Sequence, residues 1–159
     1  MTVNSTHKDA LLTLQNAGIS KTSQRLAVLS ILLKAKKPLN VTAIRQSLEK
    51  KCTIDKVTVY RTLSLLRRHG IIREIATACG ANYFEIATLE NPLHPHFNCR
   101  SCGEFTCLEP LSFPRASELI LSKNDYSIEH IEINVSGLCS YCRDTIKPES
   151  PKRYYRKEE

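Results

Sequence analysis

The sequence predicts an α+β protein: an N-terminal winged helix-turn-helix domain joined to a C-terminal α/β domain with a four-cysteine zinc site. Three observations predict it. Cys99-Arg100-Ser101-Cys102 and Cys139-Ser140-Tyr141-Cys142 are two C-x-x-C pairs. Helical periodicity fills the first 70 residues and then gives way to two short β-like runs. The first half is strongly basic and the second is acidic.

The N-terminal elements follow from spacing and stop signals. Ala10, Leu11, Leu14 and Ala17 share one helical face, and Gly18 stands where a helix terminates. A second helix is predicted from Ser23 to Lys36, with Leu26, Leu29, Leu32 and Leu33 as its stripe and Pro38 ending the region. Asn40 can cap a third helix carrying Ile44 and Leu48. Asp55 can cap a fourth, Lys56 to His69, closed by Gly70. Ile71–Ile75 and Asn82–Ile86, separated by Ala78-Cys79-Gly80, form a hairpin. Helices followed by one hairpin on a basic segment describe a winged helix.

The remainder is shorter and more broken. Ala87–Pro95 holds two prolines and reads as a hinge. His96–Arg100 and Phe105–Leu108 suggest strands around the first cysteine pair, and Pro114–Lys123 a helix. Glu129–Val135 alternates, with Ile131, Ile133 and Val135 on one face and His130, Glu132 and Asn134 on the other. The domain limits are therefore 1–87 and 88–147, with a polar tail at 148–159.

Composition narrows the function. Residues 1–88 hold 14 Lys+Arg against 5 Asp+Glu, whereas residues 89–150 hold 5 against 9. Such a split joins a module that meets a polyanion to one that does not, and charge leaves RNA, DNA and anionic lipid open. No apolar run is long enough to span a membrane, and the N-terminus resembles no signal peptide, so a soluble, cytoplasmic protein without a membrane partner is expected. Seven cysteines in that setting point to metal ligands or thiol chemistry, not a disulfide framework. Four thiolates in two pairs suit one structural Zn²⁺ per chain. The gap between the pairs is longer than in a compact zinc ribbon. Incidental buried thiols and two redox dithiols are the alternatives.

The fourth helix is the candidate DNA reader. Val59, Leu63 and Leu66 form its apolar back; Lys56, Tyr60, Ser64 and Arg67 project elsewhere, with Arg61 and Arg68 beside them. Such a helix suits the major groove. A solvated amphipathic helix with ordinary surface charges would carry a similar pattern.

Several motifs carry a resemblance. Thr58-Val59-Tyr60-Arg61-Thr62-Leu63 with Gly70-Ile71-Ile72 resembles a signature of the ferric uptake regulator family of metal-dependent repressors. Gly18-Ile19-Ser20-Lys21-Thr22-Ser23-Gln24-Arg25-Leu26 is similar to that family's approach to its second helix, with Ser23 where proline is usual. His94-Pro95-His96-Phe97-Asn98-Cys99-Arg100-Ser101-Cys102-Gly103 resembles its His-rich strand and first knuckle, and Gly137-Leu138-Cys139-Ser140-Tyr141-Cys142 its second. The resemblance spans about residues 8–143. It implies a winged helix, a C-terminal α/β dimerisation domain, a structural zinc, and a second metal whose occupancy closes a homodimer onto double-stranded operator DNA. DNA contacts are then expected from Lys56, Thr58, Tyr60, Arg61, Ser64 and Arg67.

The sensing site departs from the family pattern. Leu93 precedes His94, Pro95 separates His94 from His96, and Leu39 stands where a histidine is common. Cys79 and Cys107 have appeared, Cys107 where some members carry a glutamate ligand. His94 and His96 lie two apart on an extended segment, so both rings can point one way. Glu85, Cys79, Cys107 and His130 compete for the remaining positions. Glu85 or Cys79 is expected at the switch, and Cys107 with His130 in a second site of the dimerisation domain. Thiolate and imidazole lean toward Zn²⁺ sensing, Fe²⁺ next and peroxide sensing through bound iron third; affinity alone does not choose, because copper leads the Irving–Williams order. His130 can equally be a solvated strand residue, Cys79 a small turn residue, and Cys107 a small hydrophobe. Cys52, His7 and His69 read as structural or surface residues.

The zinc uptake regulator branch fits best, and such a repressor is not an enzyme. The rivals are a C-x-x-C thiol oxidoreductase and a zinc-stapled RNA- or protein-binding module. Cys99 follows a strand instead of opening a helix that would lower its pKa, and the basic half lacks a broad aromatic platform for RNA. A recognition helix makes Arg61→Ala weaken operator binding without changing dimer mass or metal content, with Arg153→Ala in the tail mattering much less; a lost base contact costs about 1–3 kcal/mol. Equal losses in a binding titration of both variants point to diffuse electrostatics instead.

Overall fold

The computed structural model describes residues 3–49, 54–77, 80–87, 94–110 and 132–145. Four helices come first: α1 (Val3–Asn16), α2 (Ser23–Lys34), α3 (Val41–Glu49) and α4 (Lys56–Arg68). A two-residue strand β1 (Leu39–Asn40) precedes α3, and β2 (Ile72–Ala76) and β3 (Asn82–Ile86) follow α4. The second part holds β4 (His96–Cys99), β5 (Phe105–Cys107), β6 (Asn134–Gly137) and a short helix α5 (Ser140–Thr145).

Each helix boundary has a local cause. Thr22 caps α2, its hydroxyl accepting from the Arg25 N–H at 3.3 Å. Asn40 Oδ1 accepts from the Ala43 N–H at 2.9 Å and starts α3. Asp55 Oδ1 accepts from the Thr58 N–H at 2.9 Å and starts α4. Gly70, at φ 66, ends α4 with its N–H on the Arg67 carbonyl and the Ile71 N–H on the Leu66 carbonyl. Helix α2 stops at Lys34, two residues before the sequence-predicted end. Ala35 turns extended there, so that the chain can run past Pro38 into β1.

The helices enclose one core of Ala10, Leu14, Val28, Leu29, Ile44, Leu48, Val59, Leu63 and Leu66. The hairpin pairs in register from Ile72↔Ile86 to Ala76↔Asn82. Strand β1 joins it, pairing Leu39↔Phe84, and gives the order β1-β3-β2. A two-residue strand leaves no alternating pattern to read in the sequence. Alternation divides the hairpin's faces: Ile72, Phe84 and Ile86 pack on the helical core, and Arg73, Ile75, Tyr83 and Glu85 take the other face.

The second sheet has the order β5-β4-β6, with β4 antiparallel to β5 and parallel to β6. The predicted helix at Pro114–Lys123 and the start of the alternating segment at Glu129 lie outside the described residues, as do Cys52 and the tail. Of that segment, Ile133 is half-buried and Val135 is exposed. The second sheet meets the outer face of the hairpin. Tyr83 stacks on Phe105 with ring centroids 4.1 Å apart, and Phe105 stacks on His96 at 5.3 Å. The Ala76 N–H donates to Glu132 at 3.0 Å, and Asn134 Nδ2 donates to the Ala76 carbonyl at 3.0 Å.

Leu66 joins α4 to this core and is fully buried. Leu66→Ala is expected to cost about 2–5 kcal/mol, read as a lower denaturation midpoint with an unchanged slope.

Candidate metal centres and nucleic-acid interface

The first centre forms where β4 and β6 run out together. Their parallel register places Cys99 beside Gly137, and the Arg100 N–H donates to the Gly137 carbonyl at 2.8 Å. A tight turn after Cys99, closed by Gly103 at φ 72, returns Cys102. Cys139 precedes α5 and Cys142 lies in its first turn. The four Sγ atoms lie within 4.8 Å of one another, and Cys102 and Cys139 are 3.7 Å apart. Zinc–sulfur bonds of about 2.3 Å put tetrahedral sulfurs about 3.8 Å apart, so the set fits Zn²⁺. The backbone N–H groups of Cys102 and Cys139 lower the Cys99 thiol to about 6, and the Cys139 N–H lies 3.3 Å from its sulfur. That thiol is ready to ligate as the anion.

The second cluster lies at the junction of the two parts. Glu85 projects from β3, His94 and His96 flank the entry to β4, and Cys107 ends β5 opposite His96. One ligand atom from each lies within 4.8 Å of every other. Glu85 Oε2 is 3.4 Å from His94 Nε2 and 3.5 Å from His96 Nε2. Nitrogen and oxygen ligands at about 2.0–2.1 Å from zinc give tetrahedral edges near 3.4 Å, so this set fits as well. Glu85, His94 and His96 are all buried. Among the described residues His96 Nδ1 is buried without a hydrogen-bond partner and its Nε2 has only the longer approach to Glu85, an arrangement that a bound cation would satisfy.

The charges in this cluster oppose one another. Burial works against ionisation of Glu85, but His96 and the Arg73 guanidinium outweigh it and hold the carboxyl below its ordinary value. Burial pushes the Cys107 thiol up, and the Glu85 charge adds to it. Glu85 thus stands as the anion of the cluster, and Cys107 would ligate by giving up its proton to a bound cation that offsets the Glu85 charge.

The structure brings together four of the six candidate sensing residues. Cys107 joins Glu85, His94 and His96 instead of standing apart with His130, because the β4–β5 register sets it beside His96. Cys79 and His130 lie outside the described residues. Sequence reasoning missed Arg73, whose Nε donates to Glu85 Oε1 at 3.0 Å. The signal was present, since the hairpin register makes Arg73 and Glu85 direct cross-strand partners.

On α4, Lys56, Tyr60, Arg61 and Ser64 are exposed, and Lys56 Nζ sits 5.8 Å from the Tyr60 ring centroid. Two other candidates have partners within the chain. The Thr58 hydroxyl donates to Asp55 Oδ2 at 2.5 Å, and Arg67 pairs with Glu74 on β2. A cleft of about 190 Å³ opens beside Tyr60, between the start of α3 at Val41 and Thr42 and the hairpin end at Gly80–Asn82. The cleft is lined by Tyr60 and by the polar Asn40, Thr42 and Asn82, groups that can hydrogen-bond a phosphate backbone.

The sequence profile of the ferric uptake regulator family matches residues 16–136. The chain belongs to that family. The regulator is 25% identical over 138 residues to the peroxide-responsive repressor PerR of Staphylococcus saprophyticus, spanning 86% of this chain and 91% of that protein. It is 26% identical over 136 residues to the peroxide operon regulator of Bacillus subtilis, spanning 85% and 92%. Among solved structures, the Helicobacter pylori ferric uptake regulator Fur shares its fold with a TM-score of 0.70 at 21% identity, covering 94% of this chain and 97% of that one. A zinc uptake regulator complexed with zinc and DNA gives 0.62 at 20%, covering 91% and 97%. Membership makes the chain a metal-responsive transcriptional regulator and not an enzyme, with an N-terminal DNA-binding and a C-terminal dimerisation domain. Among the described residues no helix is long and apolar enough to cross a membrane.

The thiolate centre ties β4 to α5, so its loss frees both. Cys139→Ser is expected to abolish the tightly held metal and the cooperative melting of the C-terminal part. Metal analysis beside a thermal melt checks this; a variant with stoichiometric zinc and a native melt would remove Cys139 from the centre.

Proposed function

We propose that this regulator is a zinc-sensing repressor of metal-homeostasis genes that binds double-stranded operator DNA as a homodimer in the cytoplasm. One structural zinc is assigned to Cys99, Cys102, Cys139 and Cys142 of each chain, and a regulatory zinc to Glu85, His94, His96 and Cys107. The observation that carries the choice of metal is the second ligand set: one carboxylate, two imidazoles and one thiol whose ligand atoms lie within 4.8 Å of one another, with the carboxylate 3.4 and 3.5 Å from the imidazoles. Thiolate and imidazole favour Zn²⁺, whereas Mn²⁺ prefers more oxygen ligands.

The set also explains the coupling. Glu85 belongs to the hairpin of the winged helix (residues 1–87), and His94, His96 and Cys107 to the dimerisation part (88–147). Zinc supplies a cationic tie between the two. Glu85 meets the histidines only when the hairpin faces β4, so ligand binding favours that arrangement over any other. The exposed Lys56, Tyr60, Arg61 and Ser64 of α4 then meet DNA in a fixed pose. Thr58 and Arg67 support the reader through Asp55 and Glu74.

A peroxide-responsive reading has one observation behind it, the names of the relatives at 25–26% identity. Operator binding titrated with Zn²⁺, Fe²⁺ and Mn²⁺ separates the two. Stimulation by Zn²⁺ that persists after peroxide treatment supports zinc sensing; stimulation by Fe²⁺ alone, abolished by peroxide, replaces it.

His96→Ala is expected to keep the thiolate zinc and the dimer while operator binding in zinc falls to the metal-free level, about 5- to 150-fold weaker for a coupling of about 1–3 kcal/mol. Full zinc-stimulated affinity in that variant, read by mobility shift or anisotropy, would take β4 out of the sensing mechanism.

A further inference from the structure

Arg73 directs two of its nitrogens at one oxygen of Glu85. Nε donates to Oε1 at 3.0 Å, and Nη2 lies 2.8 Å from the same oxygen. The other oxygen, Oε2, faces His94 Nε2 and His96 Nε2 at 3.4 and 3.5 Å. A carboxylate can give a metal one oxygen or two, and the choice fixes the coordination number. We propose that Arg73 is a positioning residue that restricts Glu85 to one ligating oxygen and so makes the regulatory centre select four-coordinate zinc.

This inference rests on the zinc-sensing assignment of Glu85, His94, His96 and Cys107, and adds the residue that sets the metal preference. An ordinary cross-strand ion pair would leave both oxygens shared among rotating, solvated partners. Here the side chains of Arg73 and Glu85 are only 19% and 7% exposed, so the pair is fixed by packing. The guanidinium fork is planar and directional, and a lysine at this position cannot reproduce it. With Oε1 occupied, the donors that remain are Oε2, two imidazole nitrogens and the Cys107 sulfur. That count suits Zn²⁺. Mn²⁺ and Fe²⁺ gain from further oxygen ligands, and Arg73 withholds the nearest one.

The test replaces zinc in the second centre with Co²⁺, whose visible bands are intense in four-coordinate sites and weak in five- or six-coordinate ones. Full-length dimer that retains zinc in its thiolate centre is loaded with Co²⁺ as wild type, Arg73→Met and Arg73→Lys. His96→Ala gives the background, and a thermal melt with zinc content shows that each protein is folded. Intense bands are expected for wild type, with several-fold weaker bands in both Arg73 variants. Their zinc affinity should fall by about 10- to 100-fold and their preference for zinc over manganese should narrow. Wild-type intensity in both variants overturns the inference and leaves the zinc-sensing reading standing. Wild-type intensity in Arg73→Lys with loss in Arg73→Met assigns the effect to charge and overturns the role of the fork. A wild-type spectrum no stronger than the His96→Ala background sinks the zinc-sensing assignment, and this inference with it.

Discussion

The rest of the molecule depends on the two-sidedness of the β2–β3 hairpin. Its inner face, Ile72, Phe84 and Ile86, belongs to the helical core that holds α4. Its outer face, Arg73, Tyr83 and Glu85, meets the second sheet. A strand with one buried face would carry polar, solvated groups on the other. These strands carry a metal-ligand candidate and an aromatic ring instead. Only the sheet separates the Glu85 side chain from the core that holds α4, and a tilt of the hairpin would move α4 with it.

Burial gives the junction its sensitivity. A buried carboxylate is costly unless it is paired, and Glu85 has Arg73 on one side and two imidazoles on the other. Among the described residues His96 Nδ1 has no hydrogen-bond partner, while its Nε2 faces Glu85 at 3.5 Å. The aromatic column of Tyr83, Phe105 and His96 packs the ring against the outer face of the hairpin. A ligand that binds between Glu85 and these rings would therefore favour the arrangement that brings them together.

Local chemistry was legible in the sequence and long-range pairing was not. Asn40, Asp55, Gly18 and Gly70 mark helix ends by side-chain and backbone rules that act within a few residues, and they mark them correctly. The two cysteine pairs carry their geometry in their spacing. Strand β1 escaped notice because two residues show no period. The parallel partnership of β4 with β6 is separated by more than 30 residues, and nothing local encodes it. The same holds for Cys107. Its place beside His96 is a matter of register, so the sequence offered it as one of several candidates. Thr58 and Arg67 show the converse limit: the helical wheel gives their direction but not the Asp55 and Glu74 side chains that meet them.

Strand β4 begins at His96 and ends at Cys99. Three steps along a strand cover about 10 Å and reverse the face on which a side chain emerges. The two centres therefore share a backbone yet look in opposite directions. Neither can borrow a donor from the other. On the proposed assignment, the junction set could therefore fill or empty without drawing on the four sulfurs, and the strand keeps two ligand sets of different chemistry apart.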